Sequence, residues 1–331
     1  MNSIPFFISS HSSRGFVSFY DENYASLSTK IVLTGWPQQQ ATQLLEAIES
    51  AALKKEVPVW KILHSLDASI EGIILPQQTA GIFFSRPWDN ALSDGTALTA
   101  AYQPVRQYLE EAHHHFAAAL PIHDQWEAIY IQNMDYQALD QLTEKTVSSL
   151  LSKGAGGESG TNRMRFLGAA TKDGSVDVID EITSGLEKRI FIKGRPGTGK
   201  STFLKKLRAA ANESGWDTEE YRCAFDPNSA DMVVIRKMGL CFFDSTAPHE
   251  HFPSRPGDEI LDIYEAAVAP GTDERYESEL KKIAADYKNE IRQATAALHS
   301  AYEAWNHVTQ TADWDEDAIE KEKQRIFSIL F

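Results

Sequence analysis

The sequence predicts an α/β fold in which one unit is used twice in tandem. Each copy is expected to be a mostly parallel sheet with helices, followed by a helical hairpin. Three observations predict this. The chain aligns with itself at a fixed offset of 159 residues, 166 − 7. Apolar strand-like runs alternate with amphipathic helix-like runs in both copies. A Gly/Ser-rich stretch at 152–162 separates the copies and reads as a linker. The expected division is therefore 1–151, linker 152–162, and 163–331.

At that offset Phe7, Gly15, Val17, Asp21, Glu22, Leu27, Ile31, Gly35 and Pro37 fall on Phe166, Gly174, Val176, Asp180, Glu181, Leu186, Ile190, Gly194 and Pro196. Without a gap it carries Leu45, Ala51, Ala52, Asp67, Phe83 and Phe84 onto Leu204, Ala210, Ala211, Asp226, Phe242 and Phe243. These are 15 identities over positions 7–84, which number 78. Chance at average residue usage gives about five. Similarity resumes at offset 176, where His123, Glu127 and Ala128 resemble His299, Glu303 and Ala304. The second copy thus carries 17 extra residues, 176 − 159.

Composition bounds the function. The 331 residues are 42% hydrophobic and 24% charged, enough for two cores. Acidic residues number 47 against 32 basic ones, a net charge of −15. That balance argues against a general binder of nucleic acid or anionic membrane, which needs a basic surface. No apolar run reaches the length of a membrane span, and the N-terminus lacks the basic region of a signal peptide, so the expected location is the cytosol. Cys223 and Cys241 lie in apolar strand-like segments and are expected to be buried free thiols.

In the second copy, 189–193 is a short apolar run before a Gly-rich turn and reads as a buried strand. A helix follows at 201–212, with Phe203, Leu204 and Leu207 on one face, and Gly215 ends it. Strands are expected at 218–225, 232–235 and 239–244, and a helix at 258–268. Pro270-Gly271 breaks the chain. A long amphipathic helix then spans 273–307, and a last helix 315–329. The first copy shows the same order and ends in helices over about 102–150. His113-His114-His115 lies among these and reads as mostly solvated, because adjacent helical residues do not share a face.

Gly194-Arg195-Pro196-Gly197-Thr198-Gly199-Lys200-Ser201 matches G-x-x-x-x-G-K-[ST], with a predicted strand before it and a helix after it. Glycines let the backbone curl so that successive N–H groups face a phosphate, and the helix N-terminus adds its positive dipole end. Lys200 is expected to reach the β- and γ-phosphates of ATP. Ser201 is expected to ligate Mg2+ and Thr202 to contact the α-phosphate. Residues 238–244 form an apolar strand ending in Asp244, the Walker B pattern, which supplies the second Mg2+ ligand. Ser245 follows Asp244 where a catalytic glutamate is usual, so the hydrolytic base is open.

The segment 244–259 leaves the end of a strand, where ligands bind in open α/β sheets. It is rich in reactive groups. His249, Glu250, Arg255 and Glu259 could polarise water or steady a transferred phosphate, with Glu250 and Arg255 the catalytic candidates beside Lys200 and Asp244. The same stretch also reads as a Pro-rich surface loop. Asp226-Pro-Asn-Ser229, with Asp231 close behind, reads equally as a turn or a substrate contact.

The first copy reads Gly35-Trp36-Pro37-Gln38-Gln39-Gln40-Ala41-Thr42 at the loop position. Two glycines and the lysine are gone, and at the same offset Ser85 stands opposite Asp244. The first copy is therefore expected to keep the fold without the site. Either the copies pack only for stability, or the first serves as a built-in neighbour of the live site and contributes Arg14, Arg86 or Arg106 to the transferring phosphate.

Four stretches, 191–202, 223–229, 243–250 and 255–260, resemble a family of bacterial tandem P-loop ATPase-like, ATP-binding proteins. The resemblance is specific in the second half and covers the duplicated layout of the whole chain. It implies tandem P-loop NTPase-type domains and ATP binding. In that family the first half often has its own phosphate loop, and this sequence departs from the pattern there. The leading expectation is Mg·ATP binding with hydrolysis coupled to conformational change. The alternatives are a small-molecule or nucleotide kinase with its own acceptor, and a non-catalytic nucleotide sensor that binds a protein partner.

Overall fold

The computed structural model describes residues 3–34, 36, 38–85, 100–151, 158–247, 250–309 and 316–331. Gly35, Pro37, Arg86, His249 and most of the linker, 152–157, lie outside the described residues. The first half runs β1 (Ile4–Phe7), β2 (Ser9–Ser12), β3 (Gly15–Ser18), α1 (Tyr20–Tyr24), β4 (Thr29–Thr34), α2 (Gln38–Lys54), β5 (Trp60–Leu63), β6 (Ile70–Leu75) and β7 (Ala80–Ser85), then two helices, α3 (Gln103–Ile131) and α4 (Tyr136–Leu151). The second half repeats this order. It runs β8 (Asn162–Phe166), β9 (Gly168–Thr171), β10 (Gly174–Asp177), α5 (Ile179–Thr183), β11 (Lys188–Lys193), α6 (Lys200–Glu213), β12 (Thr218–Arg222), β13 (Ala230–Ile235) and β14 (Leu240–Asp244). It adds β15 (Asp258–Asp262), α7 (Ile263–Ala267) and α8 (Thr272–Arg275) before α9 (Glu277–Thr309) and α10 (Glu316–Leu330).

One sheet of 11 strands passes through both halves, in the order β15-β11-β14-β13-β12-β8-β1-β5-β6-β7-β4. Within this sheet, all strands of each half but one share a direction, the exceptions being β6 and β13. The halves join by antiparallel pairing of β1 with β8, and the paired residues are Phe7 and Phe166. Each is the last residue of its strand, so the C-terminal edges of both half-sheets converge on this point. The fold is thus mixed α/β with a large, mostly parallel sheet in each half.

Strand registers correct the ungapped self-alignment. Leu63 pairs with Ile70, and Arg222 with Ala230, so the second half has one more residue in this connection. Both registers skip a residue there, Glu71 in the first half and Asp231 in the second, which makes each a bulge. Beyond it the offset is 160. Leu33 pairs with Phe84 and Ile192 with Asp244, so Phe84, not Ser85, holds the place of Asp244.

Two expected helix bounds also change. Residues 258–268 are strand β15 followed by the short α7, because 258–262 pair in parallel with β11. The expected helix at 273–307 is divided, with α8 preceding α9.

The packing crosses the sequence boundary. A central cluster takes Phe6 and Phe7 from the first half with Phe166, Phe191, Tyr221 and Phe243 from the second. Leu139 of α4, in the first half, joins Phe203, Leu204 and Leu207 of α6. Reciprocally, Ile326 and Leu330 of α10 join Leu44, Leu45 and Ile48 of α2. The long α3 and α9, 29 and 33 residues, pack together through Leu109, Ala112, Phe116, Ala294, Leu298 and Trp305. Each half thus closes its helical layer with a helix from the other.

Candidate nucleotide site

The loop 194–199 leaves the C-terminal end of β11 and opens directly into α6. Gly197 and Gly199 have φ of +80° and +83°, backbone that a side chain strains. Thr198 is buried and closes the turn, its hydroxyl donating to the Arg195 carbonyl at 2.8 Å. Lys200 is the first residue of α6 and only 8% exposed. Its ammonium donates to the Arg195 carbonyl at 2.8 Å and lies 3.5 Å from Asp244 Oδ2. Ser201 Oγ accepts the Ala230 N–H at 2.9 Å, which ties the first turn of α6 to β13. Thr202 is exposed on the same turn.

Asp244 ends β14, the parallel neighbour of β11, so the sheet itself brings Lys200 and Asp244 together. The other Asp244 oxygen, Oδ1, accepts from the Thr246 hydroxyl at 2.6 Å and the Thr246 N–H at 3.1 Å. A serine hydroxyl and a carboxylate are the hard oxygen donors that suit Mg2+. Ser201 and Asp244 are therefore the residues that would hold it, and Asp244 has an oxygen not engaged by Thr246.

The loop after Asp244 is pinned at its neck. Ser245 Oγ donates to the His251 carbonyl at 2.6 Å, and Lys193 Nζ donates to both Ser245 O and His251 O, at 2.8 and 3.0 Å. Of the residues between them, 246, 247 and 250 are described. Glu250 has an exposed side chain that lies 3.8 Å from Lys193 Nζ. Arg255 is not brought to the site. Its guanidinium donates to the carbonyls of Thr183 and Ser184, at 2.6 and 3.0 Å, and faces Asp258. Asp258 pairs with Arg189, near the start of β11, whereas the loop 194–199 leaves its other end. Arg189 and Asp258 form a buried bidentate pair at 2.8 and 2.7 Å that holds the Asp258 carboxyl well below the usual range.

The first half supplies the other wall. A Cβ on Gly197 would lie 2.6 Å from the carbonyl oxygen of Glu127 in α3, and one on Gly199 would lie 2.6 Å from Leu139 in α4. The β2–β3 hairpin reaches across too. Ser13 N–H donates to Phe225 O at 3.0 Å, and Arg14 Nε lies 3.3 Å from Asp226. Arg106 instead pairs with Glu110 on the surface of α3 at 2.7 Å.

In the first half, α2 begins at Gln38, the position matching Gly197, 38 + 159. Helix replaces the loop there, and the Gln38 amide donates to Asp67 at 3.3 Å.

Some site features were invisible in the sequence. Asp231 is buried on its bulge, next to the residue that donates to Ser201, and burial together with Asp231 pushes the Cys223 thiol well up. The Cys241 thiol is pushed up by burial to about 12. Both are free cysteines, with Cys223 only half-buried. His113 and His115 are partnered rather than solvated, by His11 at 3.0 Å and Glu290 at 2.8 Å. Among the described residues no helix is long and apolar enough to cross a membrane. No protein-family model, curated protein or solved structure matches this chain.

Proposed function

We propose that the chain is a Mg·ATP-binding NTPase built from tandem duplicated P-loop-type domains, with a single nucleotide site in the second. The observation that carries this reading is the placement of Lys200. It sits at the N-terminus of α6, behind two left-handed glycines, and 3.5 Å from a carboxylate on the adjacent parallel strand. Backbone N–H groups of the loop and the helix dipole favour a polyphosphate, and Lys200 supplies charge-assisted hydrogen bonds to it. Mg2+, when bound, would neutralise phosphate charge beside Ser201 and Asp244. The first domain is degenerate, since its helix occupies the loop position and Phe84 the carboxylate position. Hydrolysis coupled to conformational change is the leading reaction, in the cytosol, a location that two free cysteines suit.

A kinase-type phosphotransfer is the second reading. Ser245, next to Asp244, is buried and bonded to His251, so no carboxylate stands there to activate water. In that case an acceptor, docking beside Thr246 and Glu250, would raise ADP release.

The test is turnover and binding in two variants. Lys200→Ala should abolish tight ATP binding, because it removes the charge-assisted contacts to the phosphates. Asp244→Asn should retain much of the binding but lose Mg2+-dependent ADP release. Wild-type behaviour in both variants would place the site elsewhere.

A further inference from the structure

Arg195 occupies a position at which the loop pattern accepts any residue, yet it is the most connected residue of the loop. Its carbonyl accepts from Lys200 Nζ and Thr198 Oγ1, both at 2.8 Å, and from the Thr198 N–H at 3.2 Å. Its guanidinium donates twice to Asp273 Oδ2, at 2.8 and 3.2 Å, and once to the Gly194 carbonyl at 3.1 Å. It also lies over the Tyr264 ring, 4.9 Å from the centroid. The other oxygen of Asp273 accepts from the Tyr130 hydroxyl at 2.8 Å. Tyr130 is 1% exposed, near the end of α3, one turn beyond the Glu127 carbonyl that abuts Gly197.

A continuous hydrogen-bonded chain therefore runs from Lys200 through Arg195 and Asp273 to Tyr130, from the second half into the first. We propose that Asp273 and Tyr130 are positioning residues for the phosphate loop, and that through them occupancy of the loop is passed to α3. The inference rests on the nucleotide reading above. In this proposal a bound phosphate draws the Lys200 ammonium off the Arg195 carbonyl. That carbonyl then loses one of its three donors, and the brace on the Arg195 side chain keeps the loop in register. The brace also gives α3 a direct contact with the element that changes partner. Both residues act through Arg195, and neither need touch the nucleotide.

The experiment uses the full chain and the non-hydrolysable analogue AMP-PNP with Mg2+. Affinity is read by calorimetry, and amide hydrogen exchange is followed over residues 124–131 with and without the analogue. In the wild type, binding should slow exchange at the end of α3. Asp273→Asn should weaken binding about tenfold, and Tyr130→Phe, which removes one hydroxyl, about threefold. At saturating analogue both should still bind, yet lose the protection of 124–131. Asp273→Glu should recover part of both effects. Unchanged melting temperatures would show that each variant folds, and Tyr130→Phe stands alone as the test if Asp273→Asn does not.

Wild-type affinity in Tyr130→Phe and Asp273→Asn would overturn the proposal. So would tighter binding in Asp273→Asn, which would mean that Asp273 restrains an arginine otherwise used by the nucleotide. Protection of 124–131 that persists in the variants would overturn the coupling. If the wild type binds no AMP-PNP, the nucleotide reading fails and takes this inference with it. Binding by the wild type that is lost in Lys200→Ala separates the two cases.

Discussion

His11 and His113 show how much a single pair can decide at the interface of the halves. Their ring nitrogens are 3.0 Å apart, with His11 fully buried on β2 and His113 on α3. Burial pushes the His113 imidazole down to about 4, with Glu110 opposing, and pushes His11 well below its usual value, with His113 and His64 adding to it. Both are therefore neutral near pH 7. For His113 the unfolded chain takes up its proton near pH 6.5 and the folded chain only near 4, and His11 acts in the same direction, so stability falls as pH drops through that window. For His113 the loss approaches 3 kcal/mol, at about 1.4 kcal/mol per unit. Denaturant midpoints measured from pH 7 to 4 should fall, and His113→Gln, which keeps a hydrogen bond to His11 but cannot titrate, should flatten the slope. An equal slope in the variant would show that other groups govern it. The sequence marked the histidines but not their partner, because His11 and His113 are 102 residues apart. By contrast, the glycine turn and the helix start at Lys200 and Ser201 were legible, because that local geometry is encoded in consecutive residues. The partners of Arg255 were hidden for the same reason as the partner of His113. They lie at 183 and 184, 72 and 71 residues away.

Elements behave alike. The strand β11, the loop and α6 could be read locally, since an apolar run, a glycine turn and an amphipathic run follow one another. The strand β15 could not. Asp-Glu-Ile-Leu-Asp is short and polar at both ends, and only pairing with β11 makes it a strand. The one-residue shift after β5 and β12 was hidden because Phe83-Phe84 and Phe242-Phe243 still match by eye when slipped by one. The loop itself is held in shape by the first half. Gly197→Ala places a methyl in left-handed backbone and against the Glu127 carbonyl. It should cost about 1–2 kcal/mol from backbone strain alone, and more from the contact. Thermal melts and AMP-PNP titrations should both register it. A variant as stable and as tight as the wild type would mean that α3 does not press on the loop.

At the scale of the whole molecule, the repeat in the sequence and the units of packing do not coincide. The Gly/Ser-rich stretch separates the copies, yet α4 packs on α6 and α10 on α2, so each core contains residues from both sides of the boundary. Pattern cannot reveal this exchange, because an amphipathic helix does not specify which of two similar partners it covers. Residues 163–331 expressed alone should therefore lack a wall of their own core, exposing Phe203, Leu204 and Leu207. The fragment should melt well below the full chain and bind ATP weakly, and extending it to begin before Tyr136 should restore stability. In the intact chain, Leu139→Ala should cost about 2–5 kcal/mol, the range for a buried leucine. A 163–331 fragment with native stability would show that the exchanged helix is dispensable.

The central claim is one nucleotide site per chain, in the second half, opposite a first half that keeps the fold without the loop. Calorimetric titration of the full chain with AMP-PNP and Mg2+ tests it most directly. The expected stoichiometry is near one, and Lys200→Ala should abolish the binding. A stoichiometry near two, or binding that survives the loss of Lys200, would contradict it.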